Sequence, residues 1–195
     1  MGKRSSRFRS ICWWRLPVRS ADRWLSREEY AALARGMRKS LFRLQIHPTY
    51  RVAAEEEEFK QFLATGTYEI DPNDAALTRA RQRRADGKLA QRVYALSTPL
   101  TDYQRYVFKY YHQLALAGED LRIIDSRTMP VPRLPDYDFM LLDDTTVIKV
   151  HYDADGTWVG PELLATEDVS EYLAYKQDAV AGSVPFLDFE ERLGG

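Results

Sequence analysis

Cysteine is almost absent from this 195-residue chain, whose single example is Cys12. A lone cysteine cannot form a disulfide within the chain, and no group of cysteines and histidines has the spacing of a zinc site. These absences exclude a disulfide-stapled secreted scaffold and a zinc module. They favour a reducing compartment, and we expect a cytoplasmic protein.

Long apolar runs are also missing. No stretch approaches the roughly 18 apolar residues that a membrane span needs. The first residues carry the positive charge that begins a signal peptide, but the apolar stretch of about 7–15 residues that should follow is absent. We therefore expect neither a transmembrane segment nor export.

The formal net charge is only −1, because two parts of opposite charge cancel. Met1–Leu44 has 12 lysines and arginines against 3 acids, a balance of +9, and the rest of the chain has a balance of −10. The length and the 45% hydrophobic content are typical of one globular domain with an appendage. We predict a flexible basic arm, rich in arginine and tryptophan, at residues 1–25 and a single domain at residues 26–195.

Local patterns predict the elements of this domain. Ser26 and Glu29 have the spacing of a capping box, which indicates a helix over Arg27–Met37. Residues 41–47 alternate like a strand, with Leu41, Arg43 and Gln45 on one face and Phe42, Leu44 and Ile46 on the other. The later patterns predict a helix that ends at Gly66, a helix over Asp74–Ala85, a strand over Lys88–Ser97, a helix closed by Gly118, a strand over Asp120–Asp125, two strands joined at Asp143-Asp144, a strand from Thr157, a helix over Thr166–Val180, and a tail that docks through Phe186 and Phe189.

This order argues for an α+β (mixed α/β) fold, in which helices flank a small mixed or antiparallel sheet. Glu55–Glu58 lie where a helix begins, and we interpret them as a solvated first turn because the helix dipole favours negative charge there.

No complete catalytic constellation is present. The sequence lacks a nucleophile elbow, a phosphate-binding loop, a dinucleotide fingerprint and an H-E-x-x-H pair. Asp153-x-Asp155-Gly156 resembles the start of a calcium loop, but the later ligands are missing and the same residues suit a plain turn. In a strand, His151 is within reach of Asp143 or Asp144, and such a histidine–carboxylate pair can serve as a general base. A lone histidine in a strand is more often structural. We therefore assign no catalytic residue, metal site or cofactor, and the sequence favours a non-enzymatic protein.

Polar residues near the tyrosine-rich helix and the later strands are candidates for ligand binding. The tyrosines of that helix follow the stripe of a core-facing helix, which favours packing over stacking on nucleic acid bases. We predict one binding face lined by Arg92, Tyr103, Arg105, Arg122, Asp138, Lys149, His151 and Tyr152.

A second set of residues is typical of polyanion binding. Six cations face one acid between Arg79 and Arg92. The nucleic-acid candidates are Arg79, Arg81, Arg83 and Arg84, together with Arg7, Arg9 and Arg15 of the arm. Two other interpretations of the arm stay open: a disordered extension, and upstream sequence added by an early start codon, since Met37 is an internal methionine just before the domain.

A series of short blocks follows Phe42 in the chain: FRLQIHPTY, the E-E-E-F run, STPLTDYQRY, LAGEDLRIID, DFMLLDD, KVHYDADGTWVG and AGSVPFLDF. In this order they resemble an uncharacterised actinobacterial family, the domain of unknown function 6879, over residues 42–190. The resemblance implies a single small cytoplasmic domain, often encoded near helix-turn-helix regulators, and no established activity.

The order of a tyrosine-rich helix, a strand with Arg122, the segment DFMLLDD and a strand with Lys149 and His151 has a more distant resemblance to half of a phospholipase-D-like unit, including non-catalytic copies in bacterial regulators. The active signature is H-x-K-x-x-x-x-D, whereas His151 is followed by Asp153 at the lysine position and by Trp158 at the aspartate position. Three hypotheses follow: a regulatory or interaction domain that binds a small-molecule ligand or a protein partner such as a helix-turn-helix regulator, a nucleic-acid-binding protein, and a degenerate phosphoesterase.

Overall fold

One eight-stranded mixed sheet organises the part of the chain that the structure, a computed structural model, describes: residues 22–96, 99–127, 130, 132–165 and 169–194. The strands are β1 (Arg23–Trp24), β2 (Ser40–Gln45), β3 (Leu89–Ala95), β4 (Asp120–Ile124), β5 (Asp138–Leu142), β6 (Thr146–Tyr152), β7 (Trp158–Leu163) and β8 (Val184–Pro185). The helices are α1 (Arg27–Gly36), α2 (Glu56–Thr65), α3 (Ala75–Ala85), α4 (Asp102–Ala117), α5 (Ser170–Ala181) and α6 (Phe186–Gly194). The predicted α+β class is confirmed.

The strand order is β1-β7-β6-β5-β2-β3-β4-β8. The adjacent strands β2, β3 and β4 are parallel, and the other pairings are antiparallel. Parallel neighbours need crossover connections, which α2 and α3 provide between β2 and β3, and α4 between β3 and β4. The parallel strands therefore lie in the middle of the sheet, flanked by helices.

The two faces of the sheet have different partners. Face A packs against α1, α2, α3, α4 and α6, and face B packs against α5. The predicted alternation along β2 is confirmed, because Phe42 and Leu44 belong to the face-B core while Leu41 belongs to a face-A core. Arg43 shares the face of Leu41, since side chains two residues apart along a strand point the same way.

The local stop and start signals are confirmed where the structure describes them. Ser26 and Glu29 form the capping box, with Glu29 N donating to Ser26 Oγ at 3.1 Å and Ser26 N donating to the Glu29 carboxylate at 2.8 Å. Gly118 ends α4 with a φ of 109°. Asp143 and Asp144 both have positive φ, as a two-residue hairpin turn requires.

The structure differs from the sequence-based expectation at both ends. Arg23 and Trp24, expected in the arm, pair with β7, and Leu25 is buried. The tail docks through Phe186 and Phe189 as predicted, but it does so as the helix α6. Residues 1–21, with Arg7, Arg9 and Arg15, and residues 166–168 of the predicted last helix lie outside the described residues.

We had expected all four glutamates of Glu55–Glu58 to be solvated, but the structure differs from this expectation. Glu56 and Glu57 are exposed and pair with Lys60, but Glu55 is half-buried and accepts a hydrogen bond from Tyr103, and Glu58 accepts one from Tyr106. The partners of Glu55 and Glu58 lie on α4, which the sequence pattern around α2 could not reveal.

Among the described residues no helix has both the length and the apolar composition needed to cross a membrane.

Gly156 holds the turn between β6 and β7 at a point where a side chain has no room. Its φ is +84°, and a Cβ there would lie 2.2 Å from the carbonyl oxygen of Thr49. Gly66 has a similar φ of +76° with open space around it. We expect Gly66→Ala to cost about 1–2 kcal/mol of unfolding free energy for the left-handed backbone.

Gly156→Ala should cost about 1–3 kcal/mol more than Gly66→Ala, because the clash with Thr49 is added to the backbone strain. Urea denaturation of the two variants measures the difference. An equal loss of unfolding free energy in the two variants would contradict the close approach of Gly156 to the carbonyl oxygen of Thr49.

Candidate ligand-binding site

A cavity of about 450 Å³ opens on face A among α1, α3, α4 and the strands β2 and β3. This volume lies in the range of pockets that hold small molecules, roughly 300–1,000 Å³. Its lining includes five arginines, two glutamates and six tyrosines: Arg35, Arg43, Arg79, Arg83, Arg92, Glu55, Glu119, Tyr30, Tyr50, Tyr103, Tyr110, Tyr111 and Tyr152. The cavity is therefore rich in positive charge and in aromatic surface.

Two arginines lie side by side on the floor of this cavity. The parallel register pairs Arg43 of β2 with Arg92 of β3. Like charges directly opposite each other on neighbouring strands are destabilising unless other groups offset them. Glu119 offsets one of the two, because its Oε1 lies 2.6 Å from Arg92 Nε.

Arg92 also orients a neighbouring amide. Its Nη1 donates to Gln45 Oε1 at 3.0 Å, and the Tyr111 hydroxyl donates to the same oxygen at 2.7 Å. Because arginine can only donate, the contact identifies this atom of Gln45 as the oxygen and leaves the amide NH₂ as a donor. The guanidinium of Arg92 also lies over the Tyr111 ring, 5.3 Å from its centroid.

Arg43 has fewer partners than Arg92. Its Nη2 donates to the Tyr152 hydroxyl at 3.2 Å, while its buried Nε has no hydrogen-bond partner in the described part of the chain. Asp138 lies behind the cavity, but its carboxylate accepts from Tyr50 Oη at 2.8 Å and from Ile46 N at 2.9 Å. Burial raises the pKa of Asp138, and the charge of Arg43 opposes that rise.

The tyrosine walls stay protonated at neutral pH. Burial raises the pKa of Tyr152 to about 12, and burial followed by the charge of Glu55 raises the pKa of Tyr103 well above its ordinary value. Burial also raises the pKa of Glu55, against the effect of the hydrogen bond from Tyr103. These hydroxyls therefore act as hydrogen-bond donors, as that of Tyr103 does to Glu55, rather than as nucleophilic phenolates.

The structure brings together half of the ligand candidates that the sequence indicated. Arg92, Tyr103 and Tyr152 line the cavity, and Asp138 supports Tyr50 behind it. Arg105, by contrast, lies on the exposed side of α4, where it pairs with Asp102 at 2.9 Å.

The remaining three candidates lie on face B, so the eight do not form one binding face. Arg122 donates to Ser183, and the ammonium of Lys149 lies 3.9 Å from the centroid of the Tyr137 ring. Strand alternation explains the split, because Arg122 and Lys149 pair with residues of the face-B core. Three strands separate β4 from β6, so Arg122 and His151 are roughly 19 Å apart by strand spacing.

His151 pairs with a carboxylate. We had expected this partner to be Asp143 or Asp144, but it is Glu162. The Nε2 atom of His151 lies 2.8 Å from the Glu162 carboxylate on β7, and the histidine ring lies 4.7 Å from that of Trp24. Asp143 instead accepts from the backbone amides of residues 38–40, and Asp144 pairs with Lys176. In the described ranges no group of three or more histidines, cysteines and carboxylates could hold a metal ion.

The basic segment from Arg79 to Arg92 does not form one surface. Arg92 lies in the cavity, and Arg83 is half-buried and donates to the carbonyl of Ala34 at 3.1 Å. Arg81 donates to the Pro72 carbonyl. Of the four arginines on α3, only Arg79 and Arg84 are both exposed and without a side-chain hydrogen bond or ion pair among the described residues.

Sequence reasoning missed Arg43 and Gln45, which form the floor of the cavity. The available signal was their position on one face of a strand that is buried on both sides, since a charged residue there requires a polar partner. Tyr30 and Tyr111 had no comparable signal, because their positions are also those of core residues.

Comparison with known proteins gives one family. A family model described as "Domain of unknown function (DUF6879)" matches residues 28–191. The match begins near the start of α1, earlier than the residue 42 at which we expected the resemblance to start, and it spans every residue of the cavity. No curated protein matches the chain.

The ion pair between Arg92 and Glu119 is the most buried one of the cavity. We expect Glu119→Gln to lower the unfolding free energy by about 3 kcal/mol, because the substitution leaves a buried guanidinium without its counter-charge. Guanidinium chloride denaturation measures this loss.

Glu57→Gln is the matched control, since Glu57 pairs with Lys60 in an exposed position. It should leave the unfolding free energy unchanged, and the double variant Arg92→Met/Glu119→Gln should recover most of the loss. A Glu119→Gln variant as stable as the control would contradict the role of this pair.

Proposed function

This chain belongs to the DUF6879 family, and from that premise we propose that its domain is a non-enzymatic regulatory module that binds a small molecule in the face-A cavity. The cavity itself carries the proposal. Concave sites of roughly 300–1,000 Å³ that combine aromatic walls with a few convergent polar groups are the usual places where proteins bind small molecules. This cavity is about 450 Å³, is partly open to solvent and has both features.

The walls of the cavity suggest how binding would be transmitted. The floor lies on the central strands β2 and β3, whereas α1 is a wall with no buried residue of its own. In addition to its apolar packing, two side-chain hydrogen bonds join α1 to other residues of the cavity lining: the Tyr30 hydroxyl donates to Met140 Sδ, and Arg83 donates to the Ala34 carbonyl. We propose that the ligand changes the packing of α1 and that a protein partner recognises this change.

The partner we propose is a helix-turn-helix transcriptional regulator, and the setting is an actinobacterial cytoplasm. Both rest on the sequence resemblance stated above. Co-purification from the native host is the direct approach to the partner, with mass spectrometry of the bound protein.

A second candidate function is nucleic-acid binding, which the exposed and unpartnered side chains of Arg79 and Arg84 favour. The segment that contains Arg7, Arg9 and Arg15 would add to it. A truncation at Met37 would not isolate that segment, because it would also remove β1 and α1 from the fold.

A third candidate is a degenerate phospholipase-D-like phosphoesterase. The hydrogen-bonded pair of His151 and Glu162 supports it, because a carboxylate can orient an imidazole for proton transfer. Asp153 at the position of the signature lysine counts against it.

The cavity proposal is tested by blocking the cavity from α1. Ala31 is half-buried and lines the cavity, whereas its neighbour Ala32 is exposed. We expect native mass spectrometry of protein purified from its host to detect a bound small molecule, and Ala31→Trp to abolish it by filling the space. Ala32→Trp should retain the molecule. Loss in both variants, or no bound molecule in the parent protein, would count against the proposal.

The nucleic-acid candidate predicts that affinity for single-stranded DNA falls steeply with salt, since bound counterions are released. Arg79→Glu/Arg84→Glu should reduce both the affinity and the slope of its logarithm against the logarithm of salt concentration. The control is Lys109→Glu/Arg192→Glu, which changes the charge by the same amount at exposed positions of α4 and α6. Fluorescence anisotropy at several salt concentrations measures both quantities, and equal effects in the two variants would reject a specific role for α3.

A further inference from the structure

The floor of the cavity has hydrogen-bond donors without acceptors. Arg43 Nε is buried and has no partner among the described residues. The Tyr152 oxygen accepts from Arg43, so its own proton points elsewhere, and no described group accepts it. The Gln45 amide nitrogen is a third donor without a described partner, because Arg92 and Tyr111 both occupy the amide oxygen.

An unmatched donor inside a protein is costly. A buried N–H without an acceptor destabilises the folded state by about 1–3 kcal/mol, and neighbouring groups usually rearrange to avoid this. Arg43 Nε is such a donor. The Tyr152 hydroxyl lies 3.2 Å from Nη2 of the same guanidinium, and Gln45 follows Arg43 by two residues on the same face of β2. The common requirement is an acceptor that enters the cavity from outside the chain.

The charge of the floor identifies the kind of acceptor. Buried charges are normally paired, and Arg92 follows this rule through Glu119. No described carboxylate lies within 4 Å of the Arg43 nitrogen atoms. Asp138 attracts the charge of Arg43 from further away, while its own oxygens accept from Tyr50 and Ile46. The missing group is therefore an anion, and a guanidinium binds planar or tetrahedral oxyanions through parallel hydrogen bonds.

The tyrosine side chains that line the cavity indicate which chemical group of the ligand is attached to the oxyanion. Rings of Tyr30, Tyr103 and Tyr111 line the cavity above the floor. Aromatic faces and edges pack best against other flat rings. The volume of about 450 Å³ sets a limit at a small molecule.

We propose that the cavity binds a small organic oxyanion, a carboxylate or a phosphate attached to a flat ring, with the oxyanion held by Arg43, Gln45 and Tyr152. Arg92 and Glu119 act as positioning residues, because they hold the Gln45 amide with its NH₂ free. The inference rests on the proposed function, since it names the ligand class of the same cavity.

Four probes separate the parts of this proposal in isothermal titration calorimetry: benzoate, phenyl phosphate, the neutral benzamide and inorganic phosphate. We expect benzoate or phenyl phosphate to bind at least tenfold more tightly than benzamide and inorganic phosphate. The preference between the first two identifies the oxyanion as carboxylate or phosphate.

Arg43→Met should weaken binding of the preferred ring anion at least tenfold and leave binding of benzamide unchanged. Arg43→Lys keeps the charge without the parallel donors and should give an intermediate loss. Lys109→Met removes an exposed charge on α4 and should have no effect.

The outcomes distinguish this inference from the proposed function. Equal affinity for benzamide and the ring anions, or unchanged binding in Arg43→Met, would overturn the oxyanion inference and leave small-molecule binding intact. Inorganic phosphate binding as tightly as phenyl phosphate would overturn the flat-ring part. Failure of every ring probe, together with no retained molecule in native mass spectrometry, would overturn both proposals.

Discussion

The pairing of β2 with β3 is the constraint on which the candidate site depends. Its parallel register places Arg43 beside Arg92, two cations on the inner face of the central strands. Such an arrangement persists only if other groups offset the repulsion. Glu119, from the turn that follows α4, neutralises Arg92 and thereby connects the crossover helix to the floor of the cavity.

Strand alternation then divides the chemistry of the domain between two faces. Face A has the guanidinium of Arg43, whose Nε has no hydrogen-bond partner among the described residues, together with the buried network of Arg92 and the tyrosines of α4. Face B has the apolar core under α5, with Arg122, Lys149 and His151 in local contacts of their own. Residues that are close in the sequence are thus separated by the thickness of the sheet. Small-molecule binding is proposed on the face where polar groups lack partners.

Much of the secondary structure could be predicted because its signals are local. The capping box at Ser26, the glycine after α4 and the Asp143-Asp144 turn each depend on residues within a few positions of one another. The short strands β1 and β8 could not be predicted in this way. Each has two residues, and each exists only because a partner strand distant in sequence supplies its hydrogen bonds.

The sequence by itself determined the α+β class, the faces of β2 and the family to which the chain belongs. It also indicated three residues of the cavity lining, Arg92, Tyr103 and Tyr152. Only the tertiary structure decided which polar residues meet, because that depends on strand order and register across the sheet. The ion pair of Arg92 with Glu119 joins segments far apart in the chain, and within the described residues no carboxylate forms such a pair with Arg43. No local pattern encodes either result.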